Sequence, residues 1–170
     1  MPYVGGSLTV FFDDEAQQRT RLALRQMAHK GADRMHDLIV MNTPIDTGNL
    51  RTSWYTEPLV NKIVGVVTAY EAKVSTDVDY APYVEYGTGL YGPKGRKYPI
   101  VPKHAEFLAW RDPRTGQWIR AKKVMHPGSP GQHMVAIACD VLEHEIEMGL
   151  FDSTLTQWAA DIEARANRQR

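Results

Sequence analysis

The 170-residue chain has little cysteine, no long apolar run and no net charge, and each shortage excludes something. The single cysteine, Cys139, cannot close an internal disulfide, so a reducing compartment or a chain that does without such bonds is expected. Nowhere do about 18 apolar residues run together, so no membrane-spanning helix and no membrane partner are expected. The start, Met1-Pro2-Tyr3-Val4-Gly5-Gly6, lacks the cationic stretch and apolar run of a secretion signal, so none is expected and the protein reads as made inside the cell. Twenty Lys+Arg offset twenty Asp+Glu, which argues against a primary role in binding nucleic acid. Hydrophobic residues at 43% are enough for a packed core, so a single globular domain over 1–170 is expected.

Catalytic signatures are equally sparse. There is no Gly-x-Ser-x-Gly nucleophile turn and no phosphate-binding Gly-x-x-x-x-Gly-Lys-Ser/Thr loop. His144-Glu145 opens a zinc motif that Met148 leaves without its second histidine, and His126, His133 and Asp140 are spaced by seven without completing a ligand set. Asp46-Thr47-Gly48 matches the Asp-Thr-Gly of aspartic proteases, which would require a homodimer so that two carboxylates share one proton. Its flanks, Pro44 and Asn49-Leu50-Arg51, form a polar turn. In the competing structural reading Asp46 accepts backbone N–H bonds in that turn and Gly48 supplies a positive φ. No catalytic residue, metal or cofactor is expected.

The neutral total conceals a charge pattern. Residues 94–123 hold nine basic and two acidic side chains, whereas residues 124–164 hold seven acidic ones and no Lys or Arg. Opposite blocks can pair within one fold, or between copies arranged head to tail. Tyr98, Phe107, Trp110 and Trp118 are interleaved with the basic residues, which suits either stacking on nucleic acid or alternation into the core of a hairpin.

Residues 7–12 are β-branched and aromatic, a short strand or arm within an N-terminal segment 1–13. A long helix is expected from about 14 to 42: Asp14 caps it with Gln17 as capping-box partner, and Leu24, Met27, Ala28, Gly31, Met35, Leu38 and Ile39 form its apolar stripe. Thr43-Pro44 ends it. Residues 51–60 and 62–70 read as extended runs with a turn near Asn61, and 72–79 as a third strand. The second run is apolar enough that an open edge would invite pairing with another copy. Residues 80–87 read as a helical turn with Pro82 early and Gly87 closing it. The stretch 87–102, rich in glycine and proline, is expected to be a mobile basic excursion carrying Lys94, Arg96 and Lys97. A hairpin over 106–121, a helix over 132–148 ended by Gly149, and a further helix from Ser153 complete the chain. The expected class is α+β, with long N-terminal and C-terminal helices packed on one face of a mainly antiparallel sheet. Residues 14–148 form the core and 149–170 a helical extension.

Three motifs in order carry a resemblance. Thr43-Pro44-Ile45-Asp46-Thr47-Gly48-Asn49-Leu50-Arg51-Thr52-Ser53-Trp54 precedes Asp79-Tyr80-Ala81-Pro82-Tyr83-Val84-Glu85-Tyr86-Gly87-Thr88-Gly89, and His126-Pro127-Gly128 precedes the C-terminal helix. Following a long helix, they resemble the neck or tail-completion (head–tail joining) proteins of long-tailed bacteriophages. The resemblance implies a structural virion protein at the head–tail junction, a homo-oligomeric ring expected at six copies, neighbouring neck and tail proteins as partners, and incidental proximity to genomic DNA in its lumen. A tail terminator or a minor capsid component is the nearest alternative. Pro44, Asp46, Thr47, Gly48, Leu50, Arg51, Tyr80, Tyr83, Glu85 and Gly87 become candidates for structural or interface roles, and Lys94, Arg96 and Lys97 for the lumen.

Overall fold

A computed structural model describes residues 14–64 and 67–168, so the expected arm at 7–12 lies outside the described residues. Helix α1 spans Asp14–Asn42 and short α2 Asn49–Thr52; strands β1 Tyr55–Thr56, β2 Val60–Val64, β3 Val67–Glu71 and β4 Val74–Ser75 follow. Then come α3 Ala81–Tyr86, β5 Tyr98–Ile100, β6 Leu108–Arg111, β7 Trp118–Ala121, β8 Val124–His126, α4 Met134–Glu147 and α5 Asp152–Arg168. The class is α+β, as expected. The strands, however, form four separate two-stranded antiparallel ladders, β1–β4, β2–β3, β5–β8 and β6–β7. Each is two to five residues long, too short to carry a broad sheet.

The chain groups into two compact units. The first comprises residues up to 38, residues 55–75 and residues from 139 onward. Here α1 is lined antiparallel by the end of α4 and by α5. Arg165 pairs with Glu15, Arg19 with Asp161 at 3.4 Å, and Trp158 Nε1 donates to Thr20 Oγ1 at 3.0 Å. Further along, Lys30 Nζ donates to the Leu150 carbonyl at 2.6 Å, and Phe151 comes within 3.4 Å of where a Cβ on Gly31 would stand. Arg34 closes the series by gripping Glu145 through Nε (2.7 Å) and one terminal nitrogen (2.5 Å). Small residues permit this approach: Ala16, Ala23 and Ala32 are buried on α1. The expected stripe from Leu24 to Met35 is half-buried beside them, and Leu38 is buried.

Gly149, at φ 99°, ends α4 as expected. Its N–H bonds to the Ile146 carbonyl and that of Leu150 to the Glu145 carbonyl, the paired closure that lets a helix stop on a left-handed glycine. The β2–β3 ladder runs from Val60↔Glu71 to Val64↔Val67, and Glu71 pairs with both Lys62 and Lys73. Asn61 therefore lies inside β2 and not at a turn, because the pairing register continues past it. The extended run expected from 51 is likewise shortened: Arg51 and Thr52 belong to α2, since left-handed Gly48 redirects the chain into a helical turn.

The second unit comprises residues 39–54 and 76–138. Its core is Leu50, Ala81 and Met134, packed with Trp54, Val78, Val84 and Val135. Both members of the β5–β8 and β6–β7 ladders lie within it. The hairpin expected over 106–121 is present, closed by Asp112, whose N–H bonds to the Gln117 carbonyl at 2.8 Å.

The Arg34 grip holds the Glu145 pKa below the ordinary glutamate value through direct hydrogen bonding. A depressed carboxylate pKa adds stability that is full above the unfolded value and is lost as pH falls through the folded one. Arg34→Gln is therefore expected to be less stable than the parent at pH 7, with the deficit shrinking on acidification through that folded value. Denaturant melts at pH 7 and pH 3 read it, and a pH-independent deficit contradicts it.

Candidate functional site

The first two motifs and the start of α4 are tied together by polar bonds inside the second unit. Thr43 is buried; its Oγ1 donates to the Ile39 carbonyl at 2.7 Å, accepts from Trp54 Nε1 at 3.0 Å and lies 3.6 Å from the Met134 sulfur. Between Thr43 and Trp54 the chain makes a polar turn, in which Thr47 Oγ1 accepts the Asn49 N–H at 3.5 Å in the place expected of the Asp46 carboxylate. Gly48 has φ 85° and ψ −10°, a conformation that costs an L side chain about 1–2 kcal/mol, and it opens α2 so that Leu50 is buried. Asn49 Nδ2 reaches Tyr80 Oη at 3.3 Å, and the Ser53 and Thr76 hydroxyls lie 2.6 Å apart.

Glu85 is the most consequential of the candidate residues. It is only 6% exposed, and its carboxylate accepts the Val135 N–H at 2.9 Å and the Ala136 N–H at 3.2 Å. These are two of the N–H groups that every helix leaves without an internal partner. The residue preceding α4, His133, has φ 52° and is not a capping type. A negative charge delivered from α3, fifty residues away, does this work and also suits the positive end of the helix.

The backbone alongside is zipped just as tightly. The N–H of Thr88 bonds to the Ser129 carbonyl (2.8 Å), that of Leu90 to Pro127 (2.7 Å), that of Gln132 to Val84 (2.8 Å) and that of His133 to Glu85 (3.2 Å). Such proximity excludes side chains. A Cβ on Gly87 would stand 2.6 Å from the Gly131 nitrogen, and one on Gly89 or Gly128 would strike the opposite backbone. Gly87 also has φ 76° and ψ 176°, a region that essentially only glycine occupies. The second and third motifs are therefore two halves of one seam. His126 belongs to it: its Nδ1 accepts the Gly128 N–H at 3.0 Å and its ring lies 5.4 Å from Tyr98.

Beside this seam lies a cavity of about 790 Å³, bounded by Tyr83 and Tyr86 of α3, by Tyr98, and by Lys94, Arg96 and Lys97. The aromatic and the basic candidates thus line one concavity. The three cations are exposed, and Tyr83 is 64% exposed. Turns shape the loop between: Tyr91 and Gly92 both donate to the Thr88 carbonyl, and Arg96 donates to that of Gly89 at 3.1 Å. The hollow is thus walled by phenol rings and by exposed cations.

The remaining candidates fall elsewhere. Pro44, Asp46 and Thr47 are exposed in the turn, and Arg51 is half-buried on α2. Among the described residues no group of three or more His, Cys, Asp or Glu is placed to hold a metal ion. None of the described helices is long and apolar enough to cross a membrane.

The β6–β7 register settles the hairpin aromatics. Trp110 faces Ile119 and Leu108 faces Ala121 on one side, while Trp118 lies with Arg111 and Arg120 on the other. Trp118 is 71% exposed, so alternation places it away from any core. Sequence reasoning missed the Thr43–Trp54–Met134 node and the capping role of Glu85. Their signals were the polar Thr43 at a helix end and the three glycines, Gly87, Gly89 and Gly128, in the second and third motifs.

Residues 9–87 match the model of the HK97-gp10-like family, described as "Bacteriophage HK97-gp10, putative tail-component". The match takes in α1 through α3 and ends on the seam glycine, Gly87. The resemblance to phage tail-completion proteins is thereby supported as that of a phage tail component. Neither the curated proteins nor the solved structures give a match.

Two substitutions test this unit. Glu85→Ala leaves two N–H groups of α4 without their acceptor and is expected to cost about 2–3 kcal/mol in urea melts, with Glu85→Gln intermediate; parent-like stability of the alanine variant contradicts the cap. At Gly48 nothing stands within 4 Å of an added Cβ, so only the dihedral matters. Gly48→Val is expected to lose about 1–2 kcal/mol and Gly48→Asn distinctly less, since asparagine tolerates left-handed φ. Equal melting of all three chains refutes that assignment.

Proposed function

We propose that this chain is a structural protein of the phage neck, joining or completing the tail as a ring of copies, six in number, around the DNA channel. The single observation that carries the reading is the convergence of all three motifs on one unit, whose outer surface sets exposed tyrosines beside exposed cations. Residues that only maintain a fold are buried. Here the buried members, Thr43, Leu50, Glu85 and Met134, hold the unit rigid, and its exposed members are aromatic and basic, the composition of an interface anchor.

In this role Tyr83 and Tyr86 are contact residues toward a neighbouring neck or tail protein. Lys94, Arg96 and Lys97 face the lumen, where fixed positive charge meets passing phosphates without sequence readout. The tail-component family of residues 9–87 supports a place in the virion and a role in assembly, without bond-making chemistry. The protein works by fitting, so its loss is expected to stop a joining step.

Electron micrographs of particles made without the protein test this directly. Separate filled heads and finished tails are expected, and adding purified protein to the mixture is expected to restore joined particles. Normally joined virions in its absence overturn the role.

A further inference from the structure

We propose that the β6–β7 hairpin of one copy docks on the outward stripe at the end of α4 in the next copy. The inference rests on the reading of the chain as a ring of copies and names the surfaces through which those copies meet. Both surfaces are apolar where a monomer has no use for it. On the hairpin, Trp110 and Ile119 are directly opposed and each is 37% exposed, with Leu108 and Ala121 beside them on the same side. Val141 lies on α4, and Met148 follows its last residue with its N–H still bonded to the His144 carbonyl at 3.0 Å, so the two, seven residues apart, share one side. Met148 is 75% exposed.

Charge selects the pairing. The hairpin sits inside the stretch with nine basic and two acidic residues; exposed Lys123 follows Ala121 at the end of the apolar side, while Arg120 lies on the opposite side. The α4 stripe sits inside the stretch with seven acidic residues and no Lys or Arg, and exposed Asp140 and Glu147, also seven apart, flank it. Glu145 and Asp161 are paired within the chain to Arg34 and Arg19. The acidic side chains left at the surface attract the basic hairpin of another copy and disfavour helix-to-helix contact, which favours head-to-tail association. Nucleic acid is the rival occupant of the hairpin. It would use the cations and Trp118, but Leu108, Ile119 and Ala121 offer no ring to stack on, and the α4 stripe would stay wet.

Charge reversal in the full-length protein tests the contact. One variant carries Lys123→Glu, a second Asp140→Lys and Glu147→Lys; circular dichroism melts identify which remain folded as the parent does. Sedimentation velocity up to about 1 mM protein is expected to show self-association of the parent, weakened at least tenfold in either variant and restored when the two are mixed or combined in one chain. The combined chain also serves if one single variant folds poorly. Association of a folded single-block variant equal to the parent's overturns the contact while leaving a ring built through other surfaces. A parent that stays monomeric at about 1 mM overturns it too, whereas the neck role is judged separately from particles lacking the protein. Fluorescence anisotropy with duplex DNA is expected to show no loss of binding specific to the hairpin variant; such a loss with unchanged self-association assigns the hairpin to nucleic acid and overturns the proposal.

Discussion

A single carboxylate, that of Glu85, fixes how α3 and α4 meet, and most of the second unit follows from it. Helix α4 begins after His133, a residue without a capping side chain, and its first turn presents N–H groups that need an acceptor. Because the acceptor comes from α3, the helix start is located by tertiary structure. That in turn aligns the backbone of 84–90 with that of 127–133 and puts Met134 against Thr43. An apolar residue at position 85 would keep the burial and lose the alignment.

Backbone proximity is the second constraint and explains the glycines. Gly87, Gly89, Gly128 and Gly131 lie where two chain segments run close enough to share hydrogen bonds with no room for a Cβ. Rigid on its inner side, the seam lets the outer side carry large exposed rings and cations without collapse.

Legibility in the sequence followed the range of the interactions. Helix α1 was read to its observed bounds because its periodicity, its acidic start and the Thr43-Pro44 stop are all local signals. Gly149 and the hairpin turn at 112–116 were legible for the same reason. The ladders β1–β4 and β5–β8 were not: strands of two or three residues carry almost no pattern, and their partners lie some 20 residues away. The misplaced turn at Asn61 shows the limit of composition, since the pairing register alone decides where a hairpin reverses. At the site, motif membership pointed to Glu85 and Gly87. The distant N–H groups that give them their roles could not be read from position.

The antiparallel clasp of α1 has a temporal side. Its anchors join Glu15 to Arg165 and Thr20 to Trp158, so α1 leaves the ribosome well before α5, the helix that covers it. Until α5 emerges, the buried alanine side of α1 has no cover, and every intervening element must fold or be held while that gap stands open. A nascent chain of this design therefore acquires its first unit in one late step, once α5 has emerged.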